Sequence, residues 1–371
     1  MNQKNIYHNI KGKYFAALDL GTNSCRMLVV RTTETAFEVQ DSFSKSVGLG
    51  SNLESTGYLS KSAIIKAMRA LKVCKKKFDQ YPIESWKLVA TEACRRAKNG
   101  RNFLKRVQSE IGLRLEIIEP EEEAKYAVIG CAPLMKKKFD NVLVVDIGGG
   151  STELVWLKFR TSCQDDRLHQ LLNLKFKKSI PHSLAKNIPK KSNVGSGQAE
   201  VIDWLSIPLG VSTLSQKYFD IEEDGVKFAL MVCDFEDHLS SFLPYNSDFY
   251  LSRNLNVQVI GTSGTITTIG AVHLGLKKYD RDQVDGLELK AEQVEEVIKN
   301  LFKMGSSGRK KNPAIGDSRC DLIIPGLAII QAILSSWPGK QMCIADRGLR
   351  DGILHTLIRK NAVKFNKNKY K

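Results

Sequence analysis

The chain has 371 residues, 42% hydrophobic and 26% charged, which is the composition of a globular protein with room for two domains. Its net charge of +16 favours either a polyanionic partner or general solvation of a basic protein. No apolar run reaches the roughly 20 residues of a membrane span, and the eight cysteines include no CxxC pair; we therefore expect a cytoplasmic protein without a membrane anchor, a zinc site or a disulfide framework.

Residues 1–13 are predicted to be a flexible basic leader, and Tyr14–Arg31 follows as a hairpin. Its turn, Asp19-Leu20-Gly21-Thr22-Asn23-Ser24, combines a carboxylate with small and polar residues after a buried strand. Such a turn suits phosphate oxygens and a cation. Cys25 beside it is either a reactive thiol or a small filler in the strand.

Three predicted elements follow: a helix, a strand that ends in charged residues, and a second helix that begins with them. Ser60 caps a helix over Lys61–Phe78. The next strand ends in Thr91-Glu92-Ala93-Cys94-Arg95-Arg96, where either arginine can clamp a phosphate or lie on the surface. Glu119-Pro120-Glu121-Glu122-Glu123-Ala124 opens another helix. Its carboxylates complement the helix dipole, and one of them can also orient or deprotonate water.

The stretch Val142–Leu157 predicts a second hairpin, with Asp146 before Gly148-Gly149-Gly150-Ser151-Thr152. Three glycines allow close backbone approach and can aim N–H groups at one anion. By itself this pattern is also that of an ordinary tight hairpin.

The two hairpins align without a gap. Asp19 falls on Asp146, Gly21 on Gly148 and Ser24 on Ser151. This repeat predicts two similar half-molecules that grip one phosphate chain and its metal between them.

The second half contains a basic stretch, about residues 160–199, that is predicted to be an insertion. A strand at Val257–Ile260 delivers a third glycine turn with Gly261, Ser263 and Gly264, followed by a helix N-terminus that can bind an anion. The chain has no P-loop, and its six histidines lie outside every glycine turn, so neither a Walker-type NTPase nor a Ser/His/Asp hydrolase is predicted.

Five further segments extend the likeness of the two hairpins to known proteins. They are TEACRRA at 91–97, IIEPEEEA at 117–124, GTSGT at 261–265, IPGLAII at 324–330 and ADRGLRDGIL at 345–354. Together with the hairpins they resemble exopolyphosphatase/guanosine pentaphosphate phosphatases, the Ppx/GppA family of the actin/sugar-kinase/heat-shock ATPase superfold. The resemblance covers about residues 14–358.

The resemblance implies an α/β fold of two actin-like, ribonuclease H-like domains with an active-site cleft between them. The expected domains are residues 14–138 and 139–360, with a basic tail at 361–371 and no helical C-terminal extension. It implies an Mg²⁺- or Mn²⁺-dependent phosphoanhydride hydrolase that acts as a homodimer. The composition, with few aromatic residues among the basic runs and no nucleic-acid-binding motif, predicts no specific nucleic acid and no membrane as partner.

The family's residue roles fall on matching positions of this chain. Glu123 would be the catalytic glutamate and Glu153 a second acidic partner, while Asp146 and Asp19 would hold the metal. The implied phosphate contacts are Gly21, Thr22, Asn23, Ser24, Arg95, Gly148, Gly149, Gly150 and Ser151, with Gly261, Ser263 and Gly264 added from the third turn.

Two departures from the family pattern are Glu119-Pro120, where Ser-Gly is usual, and the long basic stretch. The first expectation is release of terminal phosphate from polyphosphate. The alternatives are conversion of guanosine pentaphosphate to tetraphosphate by the same residues, or a phosphate-polymer sensor without turnover. A sugar kinase is a weaker alternative, because the cationic segment TEACRRA and the acidic segment EEEA fit the phosphatase pattern better.

Overall fold

A computed structural model describes residues 10–159, 167–174, 176, 199–242, 256–315, 319–336 and 341–369. The chain divides into two compact units, each treated by itself below. Unit 1 contains Met1–Gly130 and Leu349–Lys371, and unit 2 contains Cys131–Gly348.

Unit 1 is built on a five-stranded sheet with the order β3-β2-β1-β4-β5. Strands β1, β2 and β3 pair antiparallel, while β4 and β5 run parallel to β1. The strands are β1 (Tyr14–Leu20), β2 (Ser24–Thr32), β3 (Phe37–Ser46), β4 (Ile83–Ala90) and β5 (Glu116–Ile117).

Helices cover both faces of this sheet. They are α1 (Leu53–Thr56), α2 (Lys61–Phe78), α3 (Glu92–Arg96), α4 (Gly100–Ile111) and α5 (Pro120–Cys131), and the last residue of α5 is assigned to unit 2. Helix α2 has the predicted bounds because the Ser60 hydroxyl accepts a hydrogen bond from the Ala63 N–H at its start. Alternate side chains of β1 enter opposite cores: Ala16 and Leu18 pack with α2 and α4, and Phe15 and Ala17 face the other way.

The face of Phe15 and Ala17 is covered by the final helix, α14 (Leu349–Lys369), through Ile353 and Leu354. Helix α14 is therefore part of unit 1. The predicted C-terminal domain, residues 139–360, included most of this helix, and the predicted tail, 361–371, continues it as far as Lys369. The difference arises because the apolar positions of α14 match the open face of the first sheet, a tertiary relation that spacing along the chain does not reveal.

The predicted flexible leader differs in part from the structure. Residues 1–9 lie outside the described residues, but Ile10 is 1% exposed and packs in the same core as Phe15. The Gly12 N–H donates to the Thr32 carbonyl at 2.9 Å. Residues 10–13 are thus a fixed part of unit 1.

Unit 2 repeats the strand arrangement of unit 1. Its sheet has the order β10-β11-β9-β6-β7-β8. Taken from the other edge, the strands β8-β7-β6-β9-β11 match β3-β2-β1-β4-β5 of unit 1 in order and direction. The added edge strand is β10. The strands are β6 (Asn141–Ile147), β7 (Thr152–Lys158), β8 (Glu200–Ile207), β9 (Val257–Thr262), β10 (Glu288–Lys290) and β11 (Gln341–Ala345).

Eight helices lie in the described residues of unit 2. They are α6 (Arg167–Leu172), α7 (Val211–Lys217), α8 (Asp224–Leu239), α9 (Gly264–His273), α10 (Arg281–Val284), α11 (Ala291–Lys303), α12 (Gly305–Lys311) and α13 (Ile323–Ser336).

Three of these helices differ from what the local sequence predicts. The segment IPLGVSTL at 207–214 predicts a strand and a turn, but β8 ends at Ile207 and α7 begins at Val211. The segment 305–312 predicts a loop, but α12 forms there, and Pro325 predicts a break, but α13 is continuous through it. Pro325 is tolerated because it lies in the first turn, where backbone N–H groups have no partner within the helix.

Most of the predicted basic insertion, about residues 160–199, lies outside the described residues. Within it, α6 is packed against the start and end of the β6–β7 hairpin of the same unit. The Arg167 guanidinium donates to the Phe139 carbonyl at 2.9 Å and lies 3.8 Å from the centre of the Phe159 ring. Among the helices that the structure describes, none is long and apolar enough to cross a membrane.

Candidate functional site

The two aspartate hairpins close with the same backbone hydrogen bond. In the first, the Gly21 N–H donates to the Ser24 carbonyl at 2.9 Å; in the second, the Gly148 N–H donates to the Ser151 carbonyl, also at 2.9 Å. Each aspartate is the next-to-last residue of its strand before the turn. The internal repeat seen in the sequence is thus a structural repeat.

The hairpins differ in the residue that faces the aspartate across the sheet. Asp19 is opposite Arg26, whereas Asp146 is opposite Glu153. Directly opposed residues of an antiparallel pair share one face of the sheet. The first hairpin therefore opposes a carboxylate to a cation, and the second places two carboxylates side by side.

Asp19 carries an enclosed oxygen without a hydrogen bond. Its Oδ1 atom has no hydrogen-bond partner in the described structure. Burial raises the pKa of Asp19, and the positive charges of Arg26 and Arg350 offset this only in part. A carboxylate oxygen that the protein leaves unsatisfied is suited to a cation or to a water bound by one.

The triple-glycine turn of the second hairpin is backed by the start of α7. The Val211 N–H donates to the Gly148 carbonyl at 3.1 Å, and the Ser212 N–H donates to the Gly149 carbonyl at 2.7 Å. No described hydrogen bond uses the N–H groups of Gly149 or Gly150. With its carbonyls taken by α7, the turn keeps two backbone donors for an anion.

Gly210 makes this backing possible, and the sequence did not identify it. A Cβ atom at Gly210 would meet the Gly148 oxygen and the Gly149 carbonyl carbon at 2.6 Å each. The Thr213 hydroxyl also joins the two segments, because it accepts from the Gly210 N–H at 2.6 Å and lies 3.4 Å from the Gly150 oxygen. The segment IPLGVSTL at 207–214 predicts a strand and a turn, and the backbone that Gly210 approaches lies about 60 residues earlier in the chain.

Glu153, predicted as a second acidic partner, is 2% exposed. Its Oε1 atom accepts a hydrogen bond from the Ser206 hydroxyl at 2.9 Å. Ser206 is opposite Glu153 on β8, so Asp146, Glu153 and Ser206 form a polar row across one face of the sheet. The hydroxyl of Ser206 helps to satisfy a carboxylate that would otherwise be costly to bury.

Glu123 and Arg95 form the most enclosed ion pair near the start of α5. Arg95 Nη1 lies 3.4 Å from Glu123 Oε2, and the two side chains are 16% and 13% exposed. The same nitrogen donates to the Ile118 carbonyl at 2.6 Å. The residues that lead into α5 are therefore tied to α3 at Ile118, and the same guanidinium holds Glu123 in the first turn of α5.

The three glutamates of this segment have different surroundings. Glu121 is exposed. Glu122 accepts hydrogen bonds from Lys87 and from the Tyr126 hydroxyl, each at 2.9 Å. Burial alone would raise the pKa of Glu122, but these two hydrogen bonds and the charges of Lys87 and Lys360 together outweigh it and lower that pKa. Glu123 is the glutamate that pairs with Arg95.

Arg96, the alternative phosphate ligand, is committed to structural contacts. Its guanidinium donates to Glu54 at 2.6 and 2.9 Å and to Glu92 at 2.9 Å. Two carboxylates thus occupy the donors that a phosphate would need. Arg95 is the better placed of the two arginines.

Two predicted phosphate contacts of the first turn also have protein partners. The Thr22 hydroxyl is buried and donates to Glu92 at 3.2 Å. The Asn23 side-chain oxygen accepts from the Ser46 hydroxyl at 3.3 Å. Gly21 and Ser24 make the backbone hydrogen bond of the turn. Whether these four residues contact phosphate stays a prediction.

The third glycine turn is mainly a helix start and a packing point. The Ser263 hydroxyl caps α9 by accepting from the Ile266 N–H at 3.0 Å. A Cβ atom at Gly261 would meet Ile266 Cδ1 at 2.8 Å. Gly264 begins α9. These contacts account for the segment without an anion, so its role in phosphate binding stays a prediction.

The described residues contain no group of three or more His, Cys, Asp or Glu side chains that could hold a metal. Each hairpin instead supplies one or two carboxylates, including the unsatisfied oxygen of Asp19. Mg²⁺ suits such a site, because it commonly binds one or two carboxylates and completes its shell with waters and substrate phosphates. The residues present therefore fit the predicted metal.

Arg350 is a further charged residue near the first hairpin, and no role was predicted for it. It lies at the start of α14, its Nη1 atom is 3.5 Å from the Met27 carbonyl, and its charge acts on Asp19. The sequence signal was the segment ADRGLRDGIL, but the approach of Arg350 to β2 depends on the docking of α14.

A model of the Ppx/GppA phosphatase family matches residues 28–165 and 192–361, which is more than half of the chain. It leaves residues 166–191, inside the predicted insertion, unmatched.

Two curated proteins are similar in sequence. A bifunctional 3-dehydroquinate synthase/phosphatase of Fusobacterium nucleatum is 27% identical over 343 residues, 89% of this chain. The chain spans 44% of that relative, less than half its length. An exopolyphosphatase candidate of Haemophilus influenzae is 25% identical and matches 94% of this chain and 93% of its own length.

Solved structures agree on the fold. The Ppx/GppA family member of Aquifex aeolicus has a TM-score of 0.69 and 26% identity, with 94% of this chain and 98% of that chain covered. An exopolyphosphatase of Cytophaga hutchinsonii has a TM-score of 0.74 at 19% identity, with the same coverage, and shows the fold alone. The predicted α/β fold with two actin-like domains is confirmed.

Proposed function

Because the chain belongs to the Ppx/GppA phosphatase family, we propose that it is a phosphoanhydride hydrolase that releases orthophosphate from the end of inorganic polyphosphate. The observation that carries this proposal is the position of Glu123. Its carboxylate is held beside Arg95, which is anchored on the Ile118 carbonyl. Glu121 and Glu122 lack this arrangement, because Glu121 is exposed and Glu122 is bonded to Lys87 and Tyr126.

In this proposal Glu123 accepts a proton from the attacking water. The water oxygen bonds to the terminal phosphorus, the bond to the bridging oxygen breaks, and the shortened polyphosphate leaves with the electron pair of that bond. Phosphoryl transfer depends mainly on positioning and charge neutralisation. Arg95 orients the Glu123 carboxylate, and a guanidinium at that place can also share a phosphate oxygen.

In this proposal each glycine turn contacts phosphate oxygens within its own unit. The N–H groups of Gly149 and Gly150 are available to phosphate oxygens, and the predicted contacts of Ser24 and Ser151 belong to the same two turns. Asp19 in unit 1, and Asp146 with Glu153 beside it in unit 2, are each proposed as ligands of Mg²⁺ or Mn²⁺. When bound, that ion neutralises charge on the phosphate oxygens.

Polyphosphate is proposed ahead of guanosine pentaphosphate because of the net charge of +16. A polymer with one charge per phosphate gains more from a strongly basic protein than a single nucleotide does. Cytoplasmic location, a homodimer and the lack of a specific nucleic-acid partner stay predictions.

The test is phosphate release by the purified protein from long-chain polyphosphate and from guanosine pentaphosphate, each with Mg²⁺ and with EDTA. We expect metal-dependent release from polyphosphate, one terminal phosphate at a time, so that orthophosphate forms without short oligophosphates from internal cleavage. Faster release from the nucleotide would transfer the proposal to that substrate. Binding of either compound without release would contradict the enzyme and favour a sensor.

A further inference from the structure

Helices α2 and α4 of unit 1 carry a large part of the excess positive charge. Helix α2 has seven basic residues and no acidic one, and α4 has three basic residues and one acidic residue, Glu110. These 30 positions therefore contribute +9 to a chain whose total is +16. No part of the site described above uses this charge.

The two helices lie side by side and run in the same direction. At their N-terminal ends, Asn99 accepts from the Leu59 N–H at 2.9 Å and donates to the Leu59 carbonyl at 3.0 Å. At their C-terminal ends, a Cβ at Gly112 would lie 3.8 Å from Lys75 Cε. The cations of both helices thus belong to one surface.

We call this surface the basic face. It consists of the exposed cations Arg69, Lys72, Lys76, Arg101, Lys105 and Arg106.

The α2 part of the basic face is a continuous row. Arg69, Lys72 and Lys76 are spaced three and four residues apart, so they lie on the same side of the helix. That side is opposite to Ala67, Leu71 and their neighbours in the core. A helix of 18 residues is about 27 Å long.

The row forms no ion pair among the described residues; the charge of Lys72 acts on Glu110, but that carboxylate is paired with Arg106. Ion pairs are formed by Lys75 with Asp79 and by Lys77 with Asp41, at the flanks of the row. Arg69, Lys72 and Lys76 take part in no described ion pair. Like charges at this spacing repel and weaken a helix slightly, and a polyanion lying along the row would relieve that repulsion.

The N-terminal end of the basic face adjoins the first aspartate hairpin. The loop that leads to α2 packs on this hairpin, because the Gly50 N–H donates to the Thr22 carbonyl and the Val47 N–H to the Asn23 carbonyl, at 2.9 and 2.8 Å. Helix α4 follows directly on α3, which carries Arg95. A linear anion held at the first hairpin can therefore continue along the basic face.

We infer that the basic face holds the part of a long polyphosphate chain that lies behind the terminal phosphate. This inference rests on the proposed function. A bare phosphate chain fits better than nucleic acid, because the aromatic residues of α2 and α4, Phe78 and Phe103, are buried and cannot stack on bases.

The test compares two triple variants that remove equal charge. One is Arg69→Gln/Lys72→Gln/Lys76→Gln in the basic face. Its matched control is Lys303→Gln/Lys310→Gln/Lys311→Gln, at exposed positions of α11 and α12 in unit 2. For long-chain polyphosphate at low salt, we expect the first variant to raise KM about tenfold with unchanged kcat. KM for tripolyphosphate should not change, and the control should match the wild type.

Equal effects of the two triple variants, or an unchanged KM for long chains, would overturn the inference while leaving the hydrolase intact. Binding of long-chain polyphosphate is also measured in EDTA, so that the inference is tested even if the wild type proves inactive; the first variant must bind more weakly and the control must not. Loss of single-stranded RNA binding with unaltered polyphosphate binding would replace this ligand by nucleic acid.

Discussion

Arg95 reaches both the Glu123 carboxylate, 3.4 Å from its Oε2 atom, and the Ile118 carbonyl oxygen at 2.6 Å. One guanidinium thus fixes a side chain and the backbone turn that presents it. A general base must be held near its water to act efficiently, and this contact supplies the positioning within unit 1.

Replacing Glu123 by Gln should therefore remove turnover and leave the fold in place. We expect phosphate release from polyphosphate to fall at least about 100-fold, because the amide cannot accept the proton, while polyphosphate binding in EDTA is kept. Glu121→Gln is the matched control, since Glu121 is exposed on the same turn of helix. An active Glu123→Gln protein, or an equal loss of activity in the control, would show that Glu123 is not the general base.

The two hairpins allow a comparison between equivalent glycines. A Cβ at Gly148 would lie 2.9 Å from the Ser151 oxygen, whereas a Cβ at Gly21 would lie 3.6 Å from the Ser24 oxygen. We expect Gly148→Ala to lower the free energy of unfolding by about 1–3 kcal/mol. Gly21→Ala should leave it unchanged or raise it by up to about 1 kcal/mol. Urea unfolding of both variants measures the difference, and equal losses would contradict the geometry.

The charge of Asp19 should lower the stability of the metal-free protein, although the proposed activity needs it. Burial holds the pKa of Asp19 above its ordinary value of 3.8, so ionisation above the folded-state pKa destabilises the metal-free protein. We expect Asp19→Asn to unfold at a higher urea concentration than the wild type near pH 7 in EDTA. Below pH 3.8 the wild-type side chain is protonated in both states, and the advantage should disappear.

Magnesium should reverse this order. Added Mg²⁺ should raise the Tm of the wild type by binding its folded state, and it should raise the Tm of Asp19→Asn less. The variant should also release phosphate more slowly at every pH. A variant that is less stable than the wild type at pH 7 in EDTA would show that Arg26 and Arg350 outweigh the burial of Asp19.

The contact between α14 and α5 leaves no room for a side chain. A Cβ at Gly352 would lie 1.9 Å from the Tyr126 carbonyl oxygen. We expect Gly352→Ala to cost about 3 kcal/mol or more, because the backbone of one helix must shift. Lys364→Ala, at an exposed position of the same helix, should change stability by less than about 0.5 kcal/mol. Similar melting temperatures for both variants would disprove the close packing.

Local patterns predicted the parts of the fold that depend on neighbouring residues. Ser60 and the apolar spacing after it gave the bounds of α2, and the spacing Asp-x-Gly-x-x-Ser gave both hairpins. The equivalence of Gly21 and Gly148 was visible because the two turns repeat in sequence. The same repeat indicated two similar domains before any strand order was known.

The remaining features depend on partners far away in the chain. Gly210 is required by the backbone at Gly148 and Gly149, and no pattern within IPLGVSTL contains that requirement. Arg95 and Arg96 are neighbours with opposite uses, which are decided by Ile118 and Glu54. The residue pattern named both arginines as candidates and only the family resemblance preferred Arg95, while Gly210 was not named at all.

The division of the chain also sets an order of events during synthesis. The chain leaves unit 1 after Gly130 and returns to it at Leu349, so unit 2 is nested inside the sequence of unit 1. A ribosome releases the whole of unit 2 before α14 emerges. Until then the face of Phe15 and Ala17 lacks its cover, and the unit that is begun first is completed last.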